Sequence, residues 1–318
     1  MNRKKYILGS TLLMCSLFTA CGQKAPEVEV STNYDNLNAD GIIALNNNND
    51  DVTKVLTSKD GRFTYCTNAI DGITLLSDGV SASGEFTVPA EIDGEKITKI
   101  GASAYKGSAV TKVIIPANIK IIDEMAFMDC RSLQSIEFGA DVVEVKTSAF
   151  QNCTNLTDIT FNDGLYQLGH SAFSGCYDLT EIKFPASLSI IDKYCFTNSG
   201  LKEVALPEGM FYIAEGTFMG CVDLTKVKLP STLEIIDHQA FIDCPNIETE
   251  LGENVKQVCS TAFRGTNVQI DPTVIFEPKT LRYMGDFSEF ENPQIAKYFY
   301  SDINTESDTN TEKETNSQ

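Results

Sequence analysis

Apolar positions between residues 97 and 270 recur in blocks. An aromatic follows a small residue at Tyr105, Phe127, Phe150, Phe173, Phe196, Phe218, Phe241 and Phe263, and the spacings are 22, 23, 23, 23, 22, 23 and 22. A period in the low twenties is too short for a pair of helices and fits one strand-containing coil of a solenoid, in which each turn buries its apolar row against its neighbours. Within a block a second pattern appears. Val110/Val113/Ile115, Leu133/Ile136/Phe138, Leu156/Ile159/Phe161, Leu179/Ile182/Phe184, Leu201/Val204/Leu206 and Leu224/Val227/Leu229 open the turns. The alternation Ile182, Lys183, Phe184 predicts a parallel strand with Ile and Phe inward and Lys outward. Pro116, Pro185, Pro207 and Pro230 end such strands and turn the chain. Leu188 to Ile191 predicts a second short extended segment, and the Ala-Phe pair a tight corner. Eight turns at ~4.8 Å would stack to about 34 Å.

The flanks follow other patterns. Residues 56–96 alternate with period two: Phe63-Thr64-Tyr65-Cys66 and Ile73-Thr74-Leu75-Leu76 flank Asp71-Gly72, predicting a β-hairpin that caps the apolar end of the stack. Residues 21–55 are rich in Asn, Asp, Val and Ser and read as a flexible tether. Residues 271–300 leave the period but keep apolar content (Ile275, Phe276, Leu281, Tyr283, Phe287, Phe290), which predicts a closing cap. Residues 301–318 are polar and predict a disordered tail.

The run L-x-x-I-x-F-P-x-x-L-x-x-I-x-x-x-A-F-x-x-C, repeated over residues 97–270, closely resembles the BspA-type bacterial leucine-rich repeat. The resemblance implies a mostly β leucine-rich-repeat solenoid that serves as a surface adhesin or binding scaffold and carries no catalytic chemistry. Fidelity falls in the turn opened by Ile247, where Glu250 occupies an apolar position.

The first twenty residues read as an export signal: basic Arg3, Lys4 and Lys5, an apolar stretch from Ile7 to Phe18, then Thr19-Ala20-Cys21. The apolar run is too short to span a bilayer. A cysteine placed there resembles the bacterial lipoprotein signal, which implies that Cys21 carries a diacylglycerol and anchors an outward-facing protein to the cell membrane; plain secretion is the alternative. Phe18 departs from the Leu which that signal prefers three positions before the cysteine. Loss of residues 1–20 takes the formal charge from −19 to −22, which argues against a nucleic-acid partner.

Ten cysteines in an exported chain normally suggest disulfides. Here Cys130, Cys153, Cys176, Cys221 and Cys244 each fall three residues after a repeat aromatic, in a slot also filled by Ser108, Ser199 and Thr266. Interchange with Ser and Thr predicts small, buried, free thiols; the redox state of Cys66, Cys195 and Cys259 stays open. No metal or cofactor is expected, since no CxxC pair, His cluster or phosphate-cradling glycine loop is present. Gly169-His170-Ser171-Ala172-Phe173 starts like a nucleophile elbow but ends in Phe and sits in the corner slot. His170 and His238 fall three residues before repeat aromatics and read as solvent-facing.

Surface columns remain as the place for function. Lys112, Asp158, Glu181 and Lys226, with Lys183 and Lys228 beside them, point outward from the opening strands and change sign along the face. On the second segment Tyr166, Ile190, Phe211, Tyr212 and Ile235 form a candidate apolar ribbon. The expectation is a non-catalytic protein that binds a protein or other cell-surface macromolecule through these columns, with a self-associating envelope protein or an exported enzyme as the alternatives.

Overall fold

The computed structural model describes residues 55–68, 72–79 and 82–276. The signal segment, all of the tether but Val55, the turn residue Asp71 and everything after Phe276 lie outside the described residues. The strands are β1 (Val55–Thr57), β2 (Phe63–Asn68), β3 (Gly72–Asp78), β4 (Ser83–Thr87), β5 (Glu91–Ile92), β6 (Glu95–Ile100), β7 (Ala109–Ile114), β8 (Ile121–Ile122), β9 (Ser135–Glu137), β10 (Glu144–Val145), β11 (Asp158–Thr160), β12 (Gln167–Leu168), β13 (Ile190–Ile191), β14 (Glu203–Ala205), β15 (Tyr212–Ile213), β16 (Lys226–Lys228), β17 (Ile235–Ile236), β18 (Gln257–Cys259) and β19 (Ile275–Phe276).

Each turn of the solenoid supplies three lines of backbone. The opening strands form one parallel ladder, β4-β7-β9-β11, and a second, β14-β16. The short second segments form another: β3-β6-β8-β10-β12-β13, then β15-β17-β18-β19. The antiparallel cap β1-β2-β3 joins this ladder directly, because β3 runs parallel to β6. β4 already pairs with β7, so the coil begins at Ser83, inside the stretch read from sequence as cap. At the other end β19 pairs with β18 and adds a further rung.

The third line is the corner, which is held by hydrogen bonds although it contains no strand. Around Phe150, the N–H groups of Ser148, Phe150 and Asn152 donate to His170, Ala172 and Ser174 of the next turn, while those of Ala149, Gln151 and Cys153 donate back to Lys146, Ser148 and Phe150. Every donor is thereby satisfied, alternately between and within turns. The geometry needs positive φ two residues before and two after the aromatic: Ser148 (55°) and Asn152 (60°), Ser171 (53°) and Gly175 (73°). Across the turns the later position is always Gly, Asn or Asp, the residues that tolerate left-handed backbone.

Inside the corner the aromatics stack face to face, from Tyr105 to Phe263, at centroid spacings of 5.0 to 5.8 Å and interplanar angles of 3° to 11°. A shorter column, Phe138, Phe161 and Phe184, packs edge-on or tilted against Phe150, Phe173 and Phe196. Phe127 through Phe241 are fully buried. The eight described cysteines are buried and form no disulfide among the described residues. In the repeat slot each thiol donates to the carbonyl of the preceding turn's aromatic, as Cys130 Sγ does to Tyr105 O at 3.1 Å and Cys244 Sγ to Phe218 O at 3.1 Å.

One turn is looser than the rest. The segment Glu181–Phe184 keeps its inward and outward alternation but joins no ladder, and the second ladder is interrupted between β13 and β15. Ring spacings on either side of Phe196, 5.7 and 5.8 Å, are the widest in the stack, and Phe161 to Phe184 is 6.3 Å against 5.1 Å for Phe138 to Phe161.

Candidate binding faces

The opening-strand face brings its predicted columns together in two groups. Lys112, Ser135 and Asp158 stand in register on β7, β9 and β11, and Glu203 and Ala205 stand opposite Lys226 and Lys228. Asp158, Glu181, Lys183, Lys226 and Lys228 are exposed, because each flanks an inward Ile or Val on a two-residue period. Lys112 is half-buried: its Nζ lies 2.7 Å from Glu137 Oε1 and 3.8 Å from Glu85 Oε1, and the hydrogen bond to Glu137 raises its pKa. Lys226 and Lys228 make no ion pair among the described residues, although Lys226 stands in register between Glu203 and Glu248.

The second-segment face departs from its expected form. Tyr166, Ile190, Phe211 and Tyr212 are half-buried, and Ile235 is fully buried at 0% exposure. Ile235 therefore leaves the ribbon; it is flanked in register by Tyr212 on one side and Gln257 on the other, which close over a two-residue strand. Ile190 and Tyr212 sit on opposite sides of the interruption in the ladder. The Tyr166 hydroxyl is buried without a partner, and burial pushes its pKa up to about 12.

This face also carries polar groups that the sequence reading passed over. Asp123 lies between two lysines, with Lys99 Nζ 2.6 Å from Oδ2 and Lys146 Nζ 3.6 Å from Oδ1. Asp237 accepts from the Tyr212 hydroxyl on one oxygen and from His238 Nδ1 on the other. Burial alone would raise the Asp237 pKa, but these two donors hold it below the usual carboxylate value. Tyr194 donates to Glu215, and the His170 ring stands edge-on to Tyr194. His238 is thus half-buried and tied to Asp237 rather than solvent-facing; His170 is exposed as expected. A signal for this row was present: Asp123, Asp192 and Asp237 each directly follow the inward Ile of the second segment.

The serine of the elbow-like run is a corner residue. Ser171 is buried, has φ of 53°, and donates its N–H to Lys193 O. Among the described residues no three His, Cys, Asp or Glu side chains converge as a metal site.

A family model of the BspA type leucine-rich repeat region matches residues 98–221 and 189–311, in six copies. The chain belongs to the BspA-type leucine-rich repeat family. A leucine-rich repeat protein of Bacteroides ovatus, known from its crystal structure, superposes with a TM-score of 0.60 at 27% identity, over 67% of this chain and 58% of that one. The BspA-type chain thus spans less than two thirds of that relative. The T. pallidum leucine-rich repeat protein shares the fold, with a TM-score of 0.51 at 22% identity over 74% of this chain and 94% of its own. No curated protein matches. BspA-type repeats suggest an interaction scaffold, and proteins built from them are generally not enzymes.

Proposed function

We propose that this chain is exported, held at the cell membrane through a lipidated Cys21, and presents its solenoid outward to bind a protein or other cell-surface macromolecule without catalysing a reaction. The basic start, short apolar run and Thr19-Ala20-Cys21 support the anchor, and stable attachment needs more than one acyl chain, as a diacylglycerol cysteine supplies. The binding reading rests on one observation: an ordered, buried stack exposes a strand face whose outward charges differ from turn to turn, from Asp158 and Glu181 to Lys226 and Lys228. Such a face gives a partner both position and electrostatic register. The half-buried edge at Tyr166, Ile190, Phe211 and Tyr212 is the second candidate contact, since aromatics anchor interfaces.

Capture of a partner from host and envelope extracts by the full-length protein, compared with Lys226→Glu/Lys228→Glu and with Phe211→Glu/Tyr212→Glu, tests this. The lysine pair is expected to lose the partner with the melting temperature unchanged. A partner retained by both double variants removes both faces. Palmitate label kept by Cys21→Ser removes the anchor.

A further inference from the structure

Two of the three lines that join successive turns break at the same seam, between the turn of Phe196 and the turn of Phe218. The second-segment ladder stops at β13 and resumes at β15, and β14 pairs onward with β16 but not back to Glu181–Phe184. One turn further on, the N–H groups of Glu234, Ile235 and Asp237 donate to Phe211 O and Ile213 O. The equivalent N–H groups of Phe211, Tyr212 and Ala214 donate to no backbone oxygen of the preceding turn. The neighbouring seams each keep a second-segment ladder, β12 with β13 before it and β15 with β17 after it.

The corner runs through this seam without a break. Tyr194, Phe196 and Asn198 donate their N–H groups to Glu215, Thr217 and Met219 at 2.8 to 2.9 Å. The Thr197 hydroxyl donates to Gly216 O at 2.8 Å and the Cys221 thiol to Phe196 O at 3.2 Å. Outside the corner a single backbone bond crosses, from the Lys202 N–H to Thr180 O at 3.1 Å, close to where the chain itself passes between the turns. Phe196 and Phe218 stay buried and face to face at 5.8 Å, the widest spacing in the stack. Segments with few structural hydrogen bonds open at lower free energy than their neighbours. A seam tied along one line and open along the other two has the form of a hinge.

We propose that the solenoid bends at this seam, with β4 to β13 as one arm, β14 to β19 as the other, and the corner at Phe196 and Phe218 as the axis. Each arm keeps its own ladders and moves as a unit. Both candidate faces are divided by the bend: Asp158 and Ile190 lie on the first arm, and Lys226, Lys228 and Tyr212 on the second. Bending changes the distance between the halves of each face and leaves the spacing within each half fixed. The motion belongs to the fold and stands apart from whether those faces bind; where they do, it lets one partner engage both halves without a fixed separation between them.

Spin labels on introduced cysteines test the bend in the full-length protein carrying Cys15→Ser and Cys21→Ser, the other native thiols being buried. Ala90, Asp163, Ala186 and Glu253 are exposed and occupy the same slot of their turns, two residues past an inward Val, Phe or Leu. The pairs Ala90→Cys/Ala186→Cys and Asp163→Cys/Glu253→Cys each span about 19 Å at ~4.8 Å per turn, and the second pair alone crosses the seam. With circular dichroism unchanged, double electron–electron resonance should give the crossing pair a distance distribution at least about twice as wide. Equal widths overturn the hinge. Hydrogen exchange on the unsubstituted protein tests the axis: Tyr212 and Ala214 should exchange at least about tenfold faster than Ile235 and Asp237, while Tyr194, Phe196 and Asn198 stay protected. Exchange at the three corner amides as fast as at Tyr212 overturns the corner as the axis.

Discussion

Cys153 Sγ lies 3.3 Å from the carbonyl oxygen of Phe127, one turn earlier in the stack. The Phe127 carbonyl already accepts from the Cys130 N–H of its own turn, so the thiol adds a second, between-turn hydrogen bond to a buried oxygen. Removing the thiol in Cys153→Ala loses that second bond and leaves the sulfur's volume empty, and is expected to cost about 1–3 kcal/mol. Denaturant midpoints for Cys153→Ala and Cys153→Ser check this; serine, which keeps a donor, should cost less.

The same burial makes the thiols report on alkaline pH. Burial pushes Cys176 up to about 12, Cys221 to about 11 and Cys244 to about 12 from the ordinary 9.0. The fold thus holds their protons more tightly than the unfolded chain does. Their contribution to stability is complete below pH 9 and is lost as pH rises through 11 to 12. Urea titrations from pH 8 to pH 11 should show a falling midpoint, smaller in Cys176→Ser, while thiol reagents at pH 8 should react only after unfolding.

The ring stack gives a third prediction. Phe173 is fully buried and stacked at 5.2 Å on Phe150 and 5.7 Å on Phe196. Phe173→Ala opens a cavity that rigid neighbouring turns fill poorly, and should cost about 3–5 kcal/mol. Calorimetry or denaturant unfolding checks the value, and a loss under about 1 kcal/mol would show that the coils collapse together.

The looser turn gives the fourth. The amides of Ile182 and Phe184 have no backbone acceptor among the described residues, whereas the strands on β7, β9 and β11 are paired. Hydrogen exchange should be fastest at Ile182 and Phe184 among the opening strands, at free energies well below global unfolding. Equal protection in Ile136 and Ile182 would contradict this.

The aromatic spacing carried the period, while the alternation of the opening strands, the full repeat run and the Cys/Ser/Thr slot carried the inward residues, the family and the burial of the repeat cysteines. Other signals were present and simply fine-grained. A cysteine fills the slot wherever six residues separate aromatic from the next opening residue, as in Phe150 to Leu156, and Ser or Thr where five do, as in Phe196 to Leu201. The interruption at Glu181–Phe184 was not legible, because its pattern of inward and outward residues is as regular as that of its paired neighbours. Ile235 was misplaced because strand alternation sorts inward from outward, while flanking turns decide whether an outward side chain meets water. The Lys99–Asp123–Lys146 cluster joins residues far apart in the chain, a coincidence that only the register between turns creates.

The alternating donors of the corner bear on how such a chain changes over generations. Each turn presents to the next the same acceptors it takes from the one before, so a duplicated or deleted block of 23 codons leaves every internal donor satisfied. Such a change lengthens or shortens the protein by about 4.8 Å and disturbs only the seam at which it occurs. Reach is therefore a heritable variable that recombination can adjust in steps, independently of the charges displayed along it.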